Sequence, residues 1–186
     1  MKKIYFLSSN KEKIKEIKLH LRKFGIEVIG KRVKLLENEL EMQEQIAKEK
    51  AVNAAKLIKR PVIAEDTGLY LLALNNFPGI HSKFVFKGIG LGGLLKLLEG
   101  KSRKAFFKTV VSYCEPNKKP IIFTGICRGK ISGNIRKPVL PKVPYDSIFI
   151  PDGEERTFSQ MTKEEKAKYS HRARATEKFA KWFVKH

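Results

Sequence analysis

Cysteine is scarce in this chain and long apolar runs are missing. Only Cys114 and Cys127 occur, each inside a strand-like apolar stretch, and their spacing fits no zinc-ligand pattern. Both are expected to be buried, reduced thiols. No stretch approaches the roughly 20 apolar residues that a membrane-spanning helix needs. The apolar part of "IYFLSSN", which follows Met1-Lys2-Lys3, is too short for a secretory signal, so a cytoplasmic protein is expected. Acidic residues are also few: 19 Asp and Glu stand against 39 Lys and Arg, a net charge of +20. The bases are spread along the chain without a block of like charge. Such a surface attracts polyanions, and lysine enrichment is also a habit of soluble and heat-adapted proteins. Charge alone does not choose between these.

What is present suffices for one ordinary domain. The chain has 186 residues, 42% of them hydrophobic, enough for a real core. "KKIYFL" reads as a first strand. Ile14, Ile17, Leu21 and Phe24 then recur at helical spacing up to Gly25. "IEVIG" and "KRVKLL" are short strand candidates, and residues 43–59 a second helix. "PVIAED" is a strand opened by Pro61. "KFVF" reads as a meagre strand and "GGLLKLLEG" as a short helix. "KAFFKTVVSYC" and "KPIIFTGICRGKI" look like long neighbouring strands. Residues 132–145 are loop-like, and a final helix from about Ser170 buries Ala173, Phe179, Ala180 and Phe183. Strands and helices mix throughout without a linker. The expected fold is one α/β domain on a mixed sheet, spanning residues 1–186.

Three stretches carry chemistry. "SSNKEK" follows the first strand and opens a helix. Ser9 or Asn10 suits an N-cap, and the free N–H groups there, with Ser8, Ser9, Asn10 and Lys13, suit a triphosphate. Glu65-Asp66 ends an apolar strand. Two adjacent carboxylates offer hard oxygen ligands of the kind Mg²⁺ takes, and a metal would relieve their repulsion; a solvated turn with Thr67-Gly68 is the plain alternative. "KAKYSHRARA" gathers Lys166, His171 and Arg172, which in the plain alternative face water behind a Ser170 cap. "GIGLGG", Gly88 to Gly93, also satisfies the dinucleotide pattern G-x-G-x-x-G, but the strand before it is weak and the unit after it is a hairpin.

Seven stretches taken in order are more specific than any one: "SSNKEKIKEI", "VIAEDTGL", "FPGIHSKFV", "FTGICRGKI", "VPYDSIFIP", "ERTFSQM" and "EEKAKYSHRARA". With them the chain resembles the inosine/xanthosine triphosphate pyrophosphatases from about residue 3 to 183. The resemblance implies an elongated, two-lobed α/β fold around a long central mixed sheet with a deep cleft. It also implies a Mg²⁺-dependent homodimer that cleaves non-standard purine nucleoside triphosphates between the α- and β-phosphorus. Carried over residue by residue, the phosphate loop falls on Ser8, Ser9, Asn10 and Lys13. The catalytic carboxylate, also at the metal, falls on Asp66, with Thr67 beside the substrate. Nucleoside contacts fall on Tyr145, Asp146, Lys166, His171 and Arg172.

The chain departs from the family pattern in three places. Ser9 replaces a glycine. The further metal-binding Glu is Glu37 counted from upstream and Glu39 counted from downstream. Val143-Pro144 stands where an aromatic usually packs on the base. The competing reading is a basic, non-catalytic nucleic-acid-binding protein. It accounts for the charge, leaves Glu65-Asp66 unexplained, and requires exposed aromatics interleaved with Lys and Arg. Most of the 12 Phe lie instead in apolar runs. The expected partner is therefore a small nucleoside triphosphate, with neither a stable nucleic-acid partner nor a membrane.

Overall fold

The computed structural model describes residues 2–31 and 42–186. Strand β1 (Lys2–Leu7) leads to helix α1 (Lys11–Arg22), β2 (Ile26–Lys31) and α2 (Gln43–Ile58). Strand β3 (Val62–Leu71) pairs with the two-residue β4 (Pro78–Gly79), and α3 (Ser82–Leu97) follows. Long strands β5 (Lys104–Cys114) and β6 (Ile121–Ile131) precede the short β7 (Phe149–Pro151), α4 (Lys163–Tyr169) and α5 (His171–Lys185). The described strands form one seven-stranded mixed sheet in the order β2-β1-β3-β5-β6-β7, with β4 beside β3. β1 runs parallel to both β2 and β3, while β4 and β7 pair antiparallel. No helix of the described residues is long and apolar enough to cross a membrane.

The chain divides into two compact units. The first comprises Met1–Thr67, Thr109–Gly125 and His171–His186; the second comprises Gly68–Lys108 and Ile126–Ser170. In the first unit the strands are buried on both faces, which explains their near-continuous apolar runs. One face packs Ile4, Phe6, Ile63 and Val111 against Ile17 and Leu21 of α1 and Phe179 of α5. The other packs Leu7, Val62 and Ala64 against Ala51, Ala54 and Ala55 of α2, where small side chains let the helix lie close to the sheet. In the second unit Leu69, Leu71, Phe107, Cys127 and Phe149 pack against Leu94 and Leu98. Both cysteines are free and buried, as expected.

The doublet Glu65-Asp66 does not end its strand: β3 runs on through Thr67-Gly68 to Leu71, so no turn follows the two acids. Two further sequence expectations change. "KFVF" is not a strand but part of α3. Ser82 and Val85 are buried and Phe86 packs on the core, a helical spacing, while Phe84 is 77% exposed. Gly88, Gly90 and Gly93 lie inside the same helix, where Gly90 (φ 63°, ψ −170°) makes a kink. The strand–turn–helix setting that a dinucleotide fingerprint requires is therefore absent here. The other change is at Phe183, which is half-buried rather than buried.

Candidate active site

The first strand delivers the chain to α1 through Ser8-Ser9-Asn10. Asn10 is the N-cap: its Oδ1 accepts from the backbone N–H of Glu12 (3.0 Å) and of Lys13 (3.4 Å). Asn10 N–H in turn donates to Ser8 Oγ at 3.2 Å, and Ser9 is exposed. The cap turns the first residues of α1 toward the acidic doublet, where the Lys13 ammonium forms an ion pair with Glu65 Oε1.

Strand alternation separates the two adjacent carboxylates. Glu65 points to the face covered by α1 and α5, where Arg172 Nε donates to its Oε2 at 2.8 Å. Asp66 points to the opposite face, where Lys50 Nζ of α2 donates to its Oδ1 at 2.7 Å. The doublet is thus not an unrelieved repulsion waiting for a metal. Each carboxylate has its own cation.

Arg172 spends its whole planar fork inside the first unit. Beyond Glu65, its Nη1 donates to Glu16 Oε2 of α1, and its Nη2 reaches Thr67 Oγ1 at 3.4 Å. Thr67 Oγ1 shares a 2.6 Å hydrogen bond with Thr109 Oγ1 of β5. Arg172 and His171 are each 3% exposed, so they do not face water as the plain reading of this stretch expected. Burial alone would raise the Glu65 carboxyl, but the charges of Arg172 and Lys13, with their hydrogen bonds, outweigh it and hold it at about 2. Burial works against the Arg172 cation as well; the charges of Glu65 and Glu16 reverse that and raise its pKa.

A pH dependence follows. Because the folded Glu65 carboxyl (about 2) lies below its ordinary 4.5, the stabilisation it supplies is complete above 4.5 and is lost as pH falls toward 2. The full contribution is on the order of 3 kcal/mol. Thermal unfolding followed from pH 6 down to about pH 2 is expected to show a steeper fall for wild type than for Glu65→Gln. Parallel curves would show that Glu65 is not the titrating group.

In the second unit Asp146 sits on a 3₁₀ turn, Pro144–Ser147, and accepts from Lys166 Nζ of α4 at 2.5 Å. Both partners are more than nine-tenths buried, and the ammonium lies 5.4 Å from the centre of the Phe158 ring. The Tyr145 hydroxyl donates to the Ser82 carbonyl at 2.6 Å, and burial pushes its pKa up to about 12. Ser82 Oγ accepts from Leu69 N–H at 2.9 Å, which ties the turn, α3 and β3 together. The expected site residues therefore form two groups. Ser8, Ser9, Asn10, Lys13, Asp66, Thr67, His171 and Arg172 belong to the first unit; Tyr145, Asp146 and Lys166 belong to the second. Glu37 and Glu39 lie outside the described residues.

Sequence reasoning missed Lys50, Glu16 and Thr109. Lys50 had a signal: it stands four residues after Ile46 and four before Ala54 on the buried face of α2. A lysine set in an apolar helix stripe needs a buried anion, and Asp66 is that anion.

A divalent cation is implied by the resemblance, and one atom tests the fit. Asp66 Oδ2 is buried and has no hydrogen-bond partner among the described residues. A hard carboxylate oxygen left open in this way suits Mg²⁺, which takes one or two carboxylates and completes its shell with phosphate oxygens and water. Among the described residues no cluster of three or more His, Cys, Asp or Glu could hold a metal by itself.

A mixed sheet whose first parallel strand runs into a capped helix, with acids and cations gathered there, defines an α/β protein with a charged cluster at that strand end. The chain belongs to the Ham1 family, which it matches over residues 4–182. It is 47% identical to a dITP/XTP pyrophosphatase of Methanopyrus kandleri, across 97% of this chain and 96% of that protein. It is 43% identical to a dITP/XTP pyrophosphatase of Saccharolobus solfataricus, across 97% and 93%. Among solved structures, a HAM1 protein from Coxiella burnetii superposes with a TM-score of 0.83 at 28% identity over the full length of both chains. The Staphylococcus aureus Ham1 protein gives 0.80 at 29% identity over 98% of each.

Proposed function

We propose that the protein is a nucleoside triphosphate pyrophosphatase that hydrolyses non-standard purine nucleoside triphosphates (ITP, dITP, XTP) to the monophosphate and pyrophosphate. The observation that carries this reading is the near-full-length similarity to relatives named dITP/XTP pyrophosphatase. The geometry supports a division of labour between the two carboxylates. Glu65 is tied to Lys13 and Arg172 and held ionised, so it takes no proton near neutrality. Asp66 keeps Oδ2 open while Lys50 fixes Oδ1, which leaves a carboxylate oriented to accept a proton from an attacking water.

Mg²⁺ would be held by Asp66, with Glu37 as the further carboxylate, and would supply charge neutralisation at the phosphate oxygens. Ser8, Ser9, Asn10 and Lys13 bind the triphosphate, and Thr67 lies beside it. Tyr145, Asp146, Lys166, His171 and Arg172 position the nucleoside. The whole of residues 1–186 acts as one functional domain, in a cytoplasmic homodimer.

The test is phosphate release from ITP, XTP, dITP and ATP at fixed Mg²⁺, with and without added inorganic pyrophosphatase. Cleavage between the α- and β-phosphorus gives a signal only when pyrophosphatase is added. Lys166, His171 and Arg172 are donor-rich, which suits a keto oxygen at C6. Adenine presents an amino donor there. The expected kcat/KM for ITP and XTP exceeds that for ATP by about 10²-fold or more. Phosphate release without pyrophosphatase, or no release from any of the four, overturns the reading.

Lys13→Ala is expected to raise KM and lower kcat together, because a phosphate-binding cation acts in ground and transition states alike. The structure adds a stability effect. Lys13 is tied to Glu65, whose side chain is 1% exposed, so its removal is expected to cost about 1–2 kcal/mol. A variant that melts and turns over like wild type leaves "SSNKEK" as a helix cap and nothing more.

A further inference from the structure

The surplus of positive charge is not used by the site above, and one face of the second unit concentrates part of it. In that unit Leu69, Ala105, Phe107, Cys127 and Ile131 all point into the core. Alternation along β3, β5 and β6 then turns Tyr70, Lys104, Phe106, Lys108, Arg128 and Lys130 to the opposite face. Lys104, Arg128 and Lys130 are exposed there, and none of the three forms an ion pair with an acid among the described residues. The strand segments 68–71, 104–108 and 126–131 contain no Asp or Glu at all. Among these cations lies an aromatic pair: the rings of Tyr70 and Phe106 stack at 4.7 Å, 3° from parallel, both half-buried.

The pair has a built seat. A Cβ added at Gly68 would meet the Gly79 carbonyl oxygen at 2.7 Å and the Tyr70 ring at 2.9 Å, and one at Gly79 would stand 3.3 Å from that ring, so the two glycines admit both the close β3–β4 approach and the tyrosine. An aromatic pair set among cations on a strand face meets the requirement that the nucleic-acid reading placed on this chain.

We propose that this face is a docking surface for single-stranded nucleic acid. Two properties select that occupant. Exposed cations in excess of acids match a phosphate backbone, and single strands present base faces that half-exposed aromatic rings can contact, whereas a duplex keeps its bases stacked. A second copy of the chain docked face to face would bring two sets of like charges together, which charge complementarity disfavours.

The experiment is fluorescence anisotropy with a labelled oligothymidylate of about 12 nucleotides, a length in the range that such surfaces cover. A duplex of the same length and a salt series accompany it. Wild type is expected to bind the single strand more tightly than the duplex, with log K falling by about 2–3 per decade of salt. Lys104→Glu/Arg128→Glu is expected to weaken binding at least tenfold and to reduce that slope by about 1 to 1.5. Phe106→Leu, which keeps apolar bulk and removes the ring, is expected to weaken the single strand more than the duplex.

Lys18→Glu/Lys48→Glu makes the same charge change on exposed positions of α1 and α2 and is expected to leave binding within about twofold. Nucleotide hydrolysis is expected to be unchanged in the Lys104/Arg128 variant. Three results overturn the proposal. One is no single-strand binding at low salt. Another is an equal loss in both charge-reversal variants. The third is a shift in oligomeric state, seen by light scattering, with no change in oligonucleotide affinity; this would mark the face as a contact between copies.

Discussion

Asp66→Asn is expected to fold like wild type and to lose at least 10²-fold in kcat, the low end for removing a general base. The swap keeps shape, but an amide oxygen is a poor proton acceptor and a poor metal ligand. It also leaves the Lys50 ammonium, only 11% exposed in its side chain, facing a neutral group. A matching Glu65→Gln variant distinguishes the two neighbours. Glu65 is tied to Lys13 and Arg172, so its loss is expected to lower stability far more than it lowers kcat per folded molecule. Steady-state rates at saturating ITP, corrected for the folded fraction, check both. If Asp66→Asn turns over at the wild-type rate, the catalytic carboxylate lies elsewhere.

The second large effect is on stability. Arg172→Ala removes one cation from two carboxylates, Glu65 at 1% and Glu16 at 12% side-chain exposure. Breaking a buried ion pair from one side leaves an uncompensated charge, and about 3–5 kcal/mol of destabilisation is expected. For a chain of this size that is a fall in Tm of roughly 10 °C. Arg172→Lys should recover little, because a lysine cannot present three donors in one plane to Glu65, Glu16 and Thr67.

The double variant Arg172→Ala/Glu65→Gln should recover part of the loss by removing one stranded charge. Lowering the pH from 6 toward 4 should narrow the gap between Arg172→Ala and wild type, since protonating a stranded carboxylate relieves the variant first. A melting curve for Arg172→Ala within a degree or two of wild type would show that this network does not hold the unit together.

Much of the fold was legible because periodicity and turn residues agreed. "KAFFKTVVSYC" is β5 residue for residue, and α2 spans Gln43–Ile58 where its Ala-rich stripe placed it. α3 was harder. Phe84, Val85 and Phe86 favour a strand by residue type, and only the spacing of Ser82, Val85 and Phe86 against the core makes them helical. Of the site, the acidic doublet and the capped loop were visible in the sequence, but the doublet's place inside β3 and its pairing were not. Which cation meets which carboxylate depends on Glu65 and Asp66 facing opposite sides of one strand, and on elements over 100 residues apart in the chain, as with Arg172 of α5 and Glu65 of β3. No local pattern records that.

The segmented build of the first unit has a consequence for the order in which the chain is made. Its three pieces end with residues 171–186, so α5 is the last of its elements to leave the ribosome. Until then Glu65 and Glu16 have been synthesised without Arg172, and the sheet face that Phe179 covers is bare. Until α5 follows, this half-core stays open, and exposed apolar surface of that kind is what chaperones recognise. A chain lacking residues 171–186 would be unable to close this unit.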